Sequence, residues 1–321
     1  MILEARDLKK HFPVRKLFQS VRTVKALDGV TFRIPEGKTL AVVGESGCGK
    51  STLAKVLMGI ECPTEGAYSI AGQDALAMPR EEFRKSIQMI FQDPYSSLNP
   101  RKRAWQIISE PWRINTGAGD AECREKALDA MAQVGLRSEF ADRYPHMFSG
   151  GQRQRIGIAR ALVLRPKVLI CDEPVSALDV SIQAQVLNLL LELQDKFGLS
   201  YLFISHDLSV VKHIADEVLV MYLGKIVETG RRNEIFSRPV HPYTQALLGS
   251  TPKLGSATGA PRRRIVLQGE PPSPLDPPTG CAFHKRCPHA QARCATDTPV
   301  LRPVLGRMTA CHFAERIPAT E

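Results

Sequence analysis

Gly44-Glu45-Ser46-Gly47-Cys48-Gly49-Lys50-Ser51 fits the pattern G-x-x-x-x-G-K-[ST] of a phosphate-binding loop. Glycines at 44, 47 and 49 let consecutive backbone N–H groups curl around an anion. Before the loop, Thr39-Leu40-Ala41-Val42-Val43 reads as a short apolar strand. After it, a helix is predicted from about Gly49 to Met58, with Gly59 as its stop. The positive end of that helix points at the same anion. Lys50 would reach the β- and γ-phosphates of a nucleotide, and Ser51 would ligate Mg²⁺. At average residue usage the pattern arises by chance with a probability on the order of 10⁻⁵ per position, so in one chain a chance match is rare.

A second site lies downstream, in Val168-Leu169-Ile170-Cys171-Asp172-Glu173. An apolar strand that ends in two carboxylates delivers both to the C-terminal edge of a sheet, where ligands bind in open α/β folds. Asp172 would hold Mg²⁺ through its water shell, and Glu173 would orient or deprotonate an attacking water.

Periodicity outlines the rest. Residues 1–93 read as strands around one helix. Residues 94–165 read as a helical insertion. Pro94, Pro100 and Pro111 interrupt its start, and helices are predicted over Ala121–Val134 and Gly151–Leu164. Ser149 is a good N-cap for the second, and Pro166 lies just past its end. Strand–helix alternation returns over 166–235, with a helix at Val180–Phe197 closed by Gly198, a strand at Tyr201–Ile204, and a hairpin of Val218–Tyr222 and Lys225–Glu228 around Leu223-Gly224. The expected architecture is an α/β fold with a mostly parallel sheet covered on both faces. Residues 1–93 and 166–235 would form the nucleotide-binding core, 94–165 a helical subdomain, and 236–321 a C-terminal extension. From about residue 251 prolines punctuate an irregular tail that contains Arg262-Arg263-Arg264.

Composition limits the choice without making it. The 321 residues carry a formal net charge of +10, with 43% hydrophobic and 24% charged residues. A basic balance suits a polyanion, an anionic membrane surface or a phosphate ligand, and equally a solvated surface. No run approaches the roughly 18–20 apolar residues of a membrane span. Met1-Ile2-Leu3-Glu4-Ala5-Arg6 lacks the basic region and apolar run of a signal peptide. The expectation is a chain on the cytosolic side, whose membrane role needs a partner.

Four further motifs follow in order: Phe91-Gln92-Asp93-Pro94, Phe148-Ser149-Gly150-Gly151-Gln152, Ser176-Ala177-Leu178-Asp179 and Ile204-Ser205-His206-Asp207. With the phosphate loop and the strand-end carboxylates, they resemble the ATP-binding cassette (ABC) ATPases. The resemblance implies a RecA-like P-loop core with a helical ABC subdomain. ATP would be lined by Gly44, Glu45, Ser46, Gly47, Cys48, Gly49, Lys50, Ser51 and Thr52, with Phe12 stacked on adenine. Gln92 would join Ser51 and Asp172 around Mg²⁺. Ser149, Gly150, Gly151 and Gln152 would face the γ-phosphate held by a second subunit, with Asp179 crossing that interface. His206 would contact the γ-phosphate. Lys50, Gln92, Glu173 and His206 would carry catalysis.

Other stretches narrow the resemblance: Gln92–Arg101, Arg143–Gly151, and His241-Pro242-Tyr243-Thr244-Gln245-Ala246-Leu247-Leu248, followed by Gly269–Pro274. They are similar to the ATP-binding subunits of bacterial dipeptide and oligopeptide importers. That similarity implies a heterodimer with a second ATPase chain, two membrane-spanning permeases, and an extracytoplasmic peptide-binding protein acting indirectly. It places the chain peripherally on the inner face of the cell membrane. Related subunits also serve nickel complexes and opines. ABC ATPases acting on nucleic acid or ribosomes carry paired cassettes or coiled-coil insertions that this sequence lacks, so no nucleic-acid partner is expected.

Cys281, Cys287, Cys294 and Cys311 crowd the last 41 residues. Such a cluster suits Zn²⁺ or an iron–sulfur centre, or stays as structural thiols. Its gaps are wider than those of a zinc knuckle. Importer subunits with similar tails are associated with 4Fe–4S clusters, so the resemblance implies one here, stapling a segment that lacks its own core.

Overall fold

The computed structural model describes residues 1–14, 22–93, 97–250 and 269–318. Pro94 and the tail before Gly269, with Arg262-Arg263-Arg264, lie outside the described residues. The chain divides into two compact units. One comprises Met1–Glu4, Arg33–Thr39 and Ser69–Ile204; the other comprises Ala5–Phe32, Leu40–Tyr68 and Ser205–Glu321.

In the first unit, strand Val168–Asp172 pairs in parallel with Ile87–Ile90 on one side and Ser200–Ile204 on the other. Val168, Leu169, Ile170 and Cys171 are fully buried, as an unbroken apolar run in a parallel sheet requires. The register sets Asp172 opposite Ile204, so the carboxylates emerge where the apolar run stops. Helix Val180–Phe197 buries Val186, Leu187, Leu189, Leu190 and Leu193, and ends at Gly198 with φ 64°, a left-handed turn that glycine accepts readily. A short helix, Arg80–Ser86, precedes strand Ile87–Ile90. The sequence reading of a single helix before residue 93 misses it, because REEFRKS has no apolar stripe.

Three helices, Ala104–Thr116, Asp120–Gln133 and Gly150–Leu162, pack together in the insertion. The first corrects an expectation: Pro111 lies inside it instead of breaking the chain. An interior proline costs about 3 kcal/mol. The buried Ile107 and Ile108 offset this, since each contributes roughly 1.5–3 kcal/mol on burial. The last turns are also tied by Asn115 Nδ2, which donates to the Pro111 carbonyl at 2.7 Å.

In the second unit, Leu40–Val43 runs parallel to strand Glu217–Tyr222, with Leu40 opposite Glu217 and Val43 opposite Val220. Glu217–Tyr222 then turns through Leu223 (φ 44°) and Gly224 (φ 75°) into the antiparallel strand Lys225–Arg231. Two positive-φ residues between paired strands make the hairpin turn that matches strand twist. Beyond it the sheet departs from the expected parallel pattern. Arg307–Thr309 pairs antiparallel with Lys225–Arg231, and Arg302–Val304 pairs with Arg307–Thr309. The tail is therefore not wholly irregular, because its end supplies two strands to the sheet. Three-residue strands carry too little alternation to be seen in sequence.

His241-Pro242-Tyr243 opens helix Pro242–Gly249. His241 Nδ1 accepts the Tyr243 N–H at 3.1 Å, and Pro242 fills the first helical position, where no N–H is needed. Glu228, fully buried, accepts the N–H groups of Val240 at 2.9 Å and His241 at 3.0 Å. Arg307 Nη1 lies 3.6 Å from the same carboxylate. Among the described residues no helix is long and apolar enough to cross a membrane.

Burial depresses the His241 imidazole from an ordinary 6.5 to about 3. The unfolded chain thus takes up a proton that the fold refuses, so stability holds above pH 6.5 and falls as pH drops from 6.5 toward 3. The expected loss is about 1.4 kcal/mol per pH unit in that window. His241→Asn keeps a capping oxygen and removes the titration. Denaturant melts from pH 7.5 to 5 should show a flatter pH dependence for this variant; an unchanged slope would place the titration elsewhere.

Candidate functional site

The phosphate loop belongs to the second unit. Gly44, Gly47 and Gly49 all sit at positive φ (151°, 79° and 109°). A Cβ at Gly44 would lie 2.3 Å from the Met221 carbonyl oxygen, and one at Gly49 would lie 2.3 Å from that of Ala26. At residues 44 and 49 the loop is therefore wedged against neighbouring backbone that leaves no room for a side chain. Helix Lys50–Leu57 follows at once. Lys50 is 7% exposed, and its ammonium donates to the Gly44 carbonyl at 2.7 Å and the Glu45 carbonyl at 3.0 Å. Burial raises the Cys48 thiol, so it stays protonated beside Lys50.

Two side chains that sequence reasoning missed brace the same loop. Tyr243 Oη accepts the Glu45 N–H at 2.8 Å. Arg286 grips the Glu45 carboxylate with both terminal nitrogens, at 2.6 and 3.0 Å. A proline-started helix after His241 was the available signal for Tyr243; nothing in sequence ties residue 286 to residue 45. His206 is exposed, just before the helix Leu208–Ile214 that Asp207 caps. Phe12, on strand Leu3–Val14, is half-buried with the Lys10 ammonium 4.9 Å from its ring centroid.

The first unit gathers the other predicted residues. Gln92 Nε2 donates to Glu173 Oε2 at 2.8 Å, joining two motifs 81 residues apart. Glu173 takes φ 46°, a left-handed conformation uncommon for a residue with a side chain. Its N–H is fixed on the Ile204 carbonyl at 2.9 Å, and its own carbonyl accepts from Ser176 N and Oγ at 3.2 and 3.1 Å. Asp172 ends the buried strand one residue earlier. Ser149 caps helix Gly150–Leu162 reciprocally with Gln152: Gln152 N donates to Ser149 Oγ at 3.3 Å, and Ser149 N donates to Gln152 Oε1 at 3.1 Å. A Cβ at Gly151 would come within 2.6 Å of Ile182 Cγ2, so the bare backbone there lets this helix approach the one that follows Asp179.

Cys281, Cys287, Cys294 and Cys311 line one pocket with His284, His289 and His312. Burial pushes Cys287 up to about 12 and Cys311 up to about 11, and raises Cys281. Among the described residues no three His, Cys, Asp or Glu side chains are gathered closely enough to hold a metal ion. The soft donor set suits an iron–sulfur centre, but the thiols as placed do not form its cage.

A glycine loop closed by a buried lysine, a strand-end carboxylate pair and a capped Ser-Gly-Gly helix define an ABC-type P-loop ATPase. The family model for ABC transporters matches residues 27–176, and that for the oligopeptide/dipeptide transporter C-terminal region matches residues 227–294. The dipeptide transport ATP-binding protein DppF of Escherichia coli is 59% identical over 98% of this chain and 95% of its own. The di/tripeptide transport ATP-binding protein DppF of Pseudomonas aeruginosa is 56% identical over 98% of both chains. The oligopeptide transport ATP-binding protein AppF of Bacillus subtilis is 55% identical over 97% of both. Among solved structures, the dimeric ATP-binding cassette MJ0796 bound to ADP and Pi superposes with a TM-score of 0.63 at 26% identity, covering 72% of this chain and 99% of that one. The chain belongs to the family of ATP-binding subunits of dipeptide and oligopeptide ABC transporters, and it is an ATPase.

Gly49→Ala should abolish nucleotide binding, because its Cβ meets the Ala26 carbonyl at a φ that L residues rarely adopt. Equilibrium binding of MgATP to the full chain measures this, and wild-type affinity in the variant would refute the wedged-loop account.

Proposed function

We propose that this chain powers the import of dipeptides or oligopeptides, with permease subunits supplying the membrane path. Support comes from relatives named for peptide transport that match at 55–59% identity over 97% or more of the chain. The observation that carries the catalytic half is the Gln92–Glu173 hydrogen bond of 2.8 Å. It ties the proposed general base to the segment that leads into the helical insertion, through which nucleotide state would reach a permease.

Lys50 balances charge on the β- and γ-phosphates, while the loop N–H groups hold them. Ser51, Gln92 and Asp172 offer only oxygen donors, the set that suits Mg²⁺. Bound Mg²⁺ would draw charge off those phosphates. The Glu173 carboxylate orients the attacking water and takes its proton. Its backbone, fixed at φ 46°, holds it in one direction. His206 steadies the γ-phosphate, and Phe12 offers adenine a ring face. The capped tip Ser149-Gly150-Gly151-Gln152 and Asp179 act on the nucleotide of a second ATPase subunit, a different chain in the reading preferred here. The dimeric state of MJ0796 with ADP and Pi supports that sandwich. A binding protein outside would deliver peptide, and the subunit would sit on the inner face of the membrane. Residues 1–93 and 166–235 serve as core, 94–165 as the coupling subdomain and 236–321 as the extension.

Glu173→Gln should keep MgATP affinity and lose nearly all steady-state ATPase and peptide uptake in the assembled transporter. Unchanged turnover would remove Glu173 from the proposed role. Uptake of a nickel complex or an opine, with peptides left outside, would redirect the substrate.

The four-cysteine pocket is proposed to close around a 4Fe–4S cluster. Cys281, Cys287, Cys294 and Cys311 would supply its four thiolate ligands. Protein purified without oxygen should be brown, absorbing near about 400 nm, and Cys287→Ser should lose the colour. Stoichiometric zinc without iron would overturn this.

A further inference from the structure

Glu45 puts a carboxylate inside a loop whose other groups are arranged for an anion. Left alone, it would repel the phosphates that Lys50 and the loop N–H groups attract. The structure neutralises it from a distant part of the chain. Arg286, with its side chain 5% exposed, holds Glu45 by two charge-assisted hydrogen bonds of 2.6 and 3.0 Å. A forked contact of this kind is among the stronger polar interactions available. The guanidinium is itself fixed. Its Nη1 lies 3.4 Å from Tyr222 Oη, and its carbon lies 6.0 Å from the Tyr222 ring centroid.

That platform joins a core strand to the extension. Tyr222, Tyr243 and Phe283 form a triangle with ring centroids 4.7, 5.3 and 5.4 Å apart, and all three are buried. Tyr243 also accepts the Glu45 N–H. The extension thus fixes Glu45 at both its backbone and its side chain.

We infer that Arg286 is a positioning residue for nucleotide binding: it cancels the Glu45 charge beside the phosphates, so that the C-terminal extension sets the affinity of the P-loop for MgATP. The inference rests on the P-loop reading given above. It separates two roles that a substitution at 286 would otherwise merge. If Arg286 only packs the extension, its loss cannot be repaired at residue 45. If it acts by cancelling charge, removing the charge at 45 repairs it.

The test is a double-mutant cycle on the full chain, with the dissociation constant for MgATP read by displacement of a fluorescent ATP analogue. Arg286→Gln keeps most of the stem and removes the charge. It should weaken MgATP binding about tenfold, a difference that one unpaired charge readily supplies. Whatever affinity Glu45→Gln shows alone, the double variant should bind like Glu45→Gln and not like Arg286→Gln. Arg286→Lys, still charged but unable to fork, should fall between. Wild-type affinity in Arg286→Gln, or a double variant as weak as Arg286→Gln, would overturn the proposal. Lys50→Ala in the same assay isolates the underlying reading. If it binds normally, the P-loop assignment has failed; if it loses binding while Arg286→Gln does not, only the present inference has.

Discussion

A loop that offers its backbone to an anion needs bare positions, and here two of them, 44 and 49, are also closed from outside. The Met221 and Ala26 carbonyls stand where Cβ atoms of residues 44 and 49 would be. At both 44 and 49 the backbone also takes a positive φ, so only glycine meets the two demands together. Strands of two different sheets hold those carbonyls in place, Glu217–Tyr222 for Met221 and Arg22–Ile34 for Ala26. Leu40–Val43 brings the chain into the loop alongside Glu217–Tyr222, and Gly224 N donates to the Cys48 carbonyl at 2.9 Å. The hairpin after Tyr222 thereby touches the loop it helps to shape.

A comparable constraint acts at Glu173. A glutamate at positive φ is held on both sides, by a tertiary bond to Ile204 and a local turn bond from Ser176. Such strain persists only where the neighbourhood over-determines it. The arrangement aims one carboxylate with little freedom, which is what orienting a water demands.

How much of this could be read beforehand depends on the range of each interaction. Local chemistry was legible. The glycine spacing gave the loop, Ser149 with Gln152 gave a reciprocal cap, and Leu223-Gly224 gave the hairpin turn. The strand at 168–172 and the helix at 180–197 followed from apolar pattern alone. What escaped was either weak in pattern or distant in sequence. Pro111 reads as a breaker in sequence, because propensity sees the missing N–H and not the buried face that compensates. Arg302–Val304 and Arg307–Thr309 are too short to show period. The pairing of residue 286 with residue 45 spans 241 positions and leaves no local trace. The cysteines were legible as a group that shares a pocket, whereas their spacing around it was not.

The two tail strands have a further consequence. Arg307–Thr309 covers the outer edge of Lys225–Arg231, and Arg302–Val304 covers Arg307–Thr309 in turn. A chain shortened to end before residue 300 would bare the edge of Lys225–Arg231 around Glu228 and Thr229, which pair with Thr309 and Met308, an open template for sticking to other copies. It would also strip Arg307 from the buried Glu228. The final strands are thus as much a guard against self-association as a part of the fold.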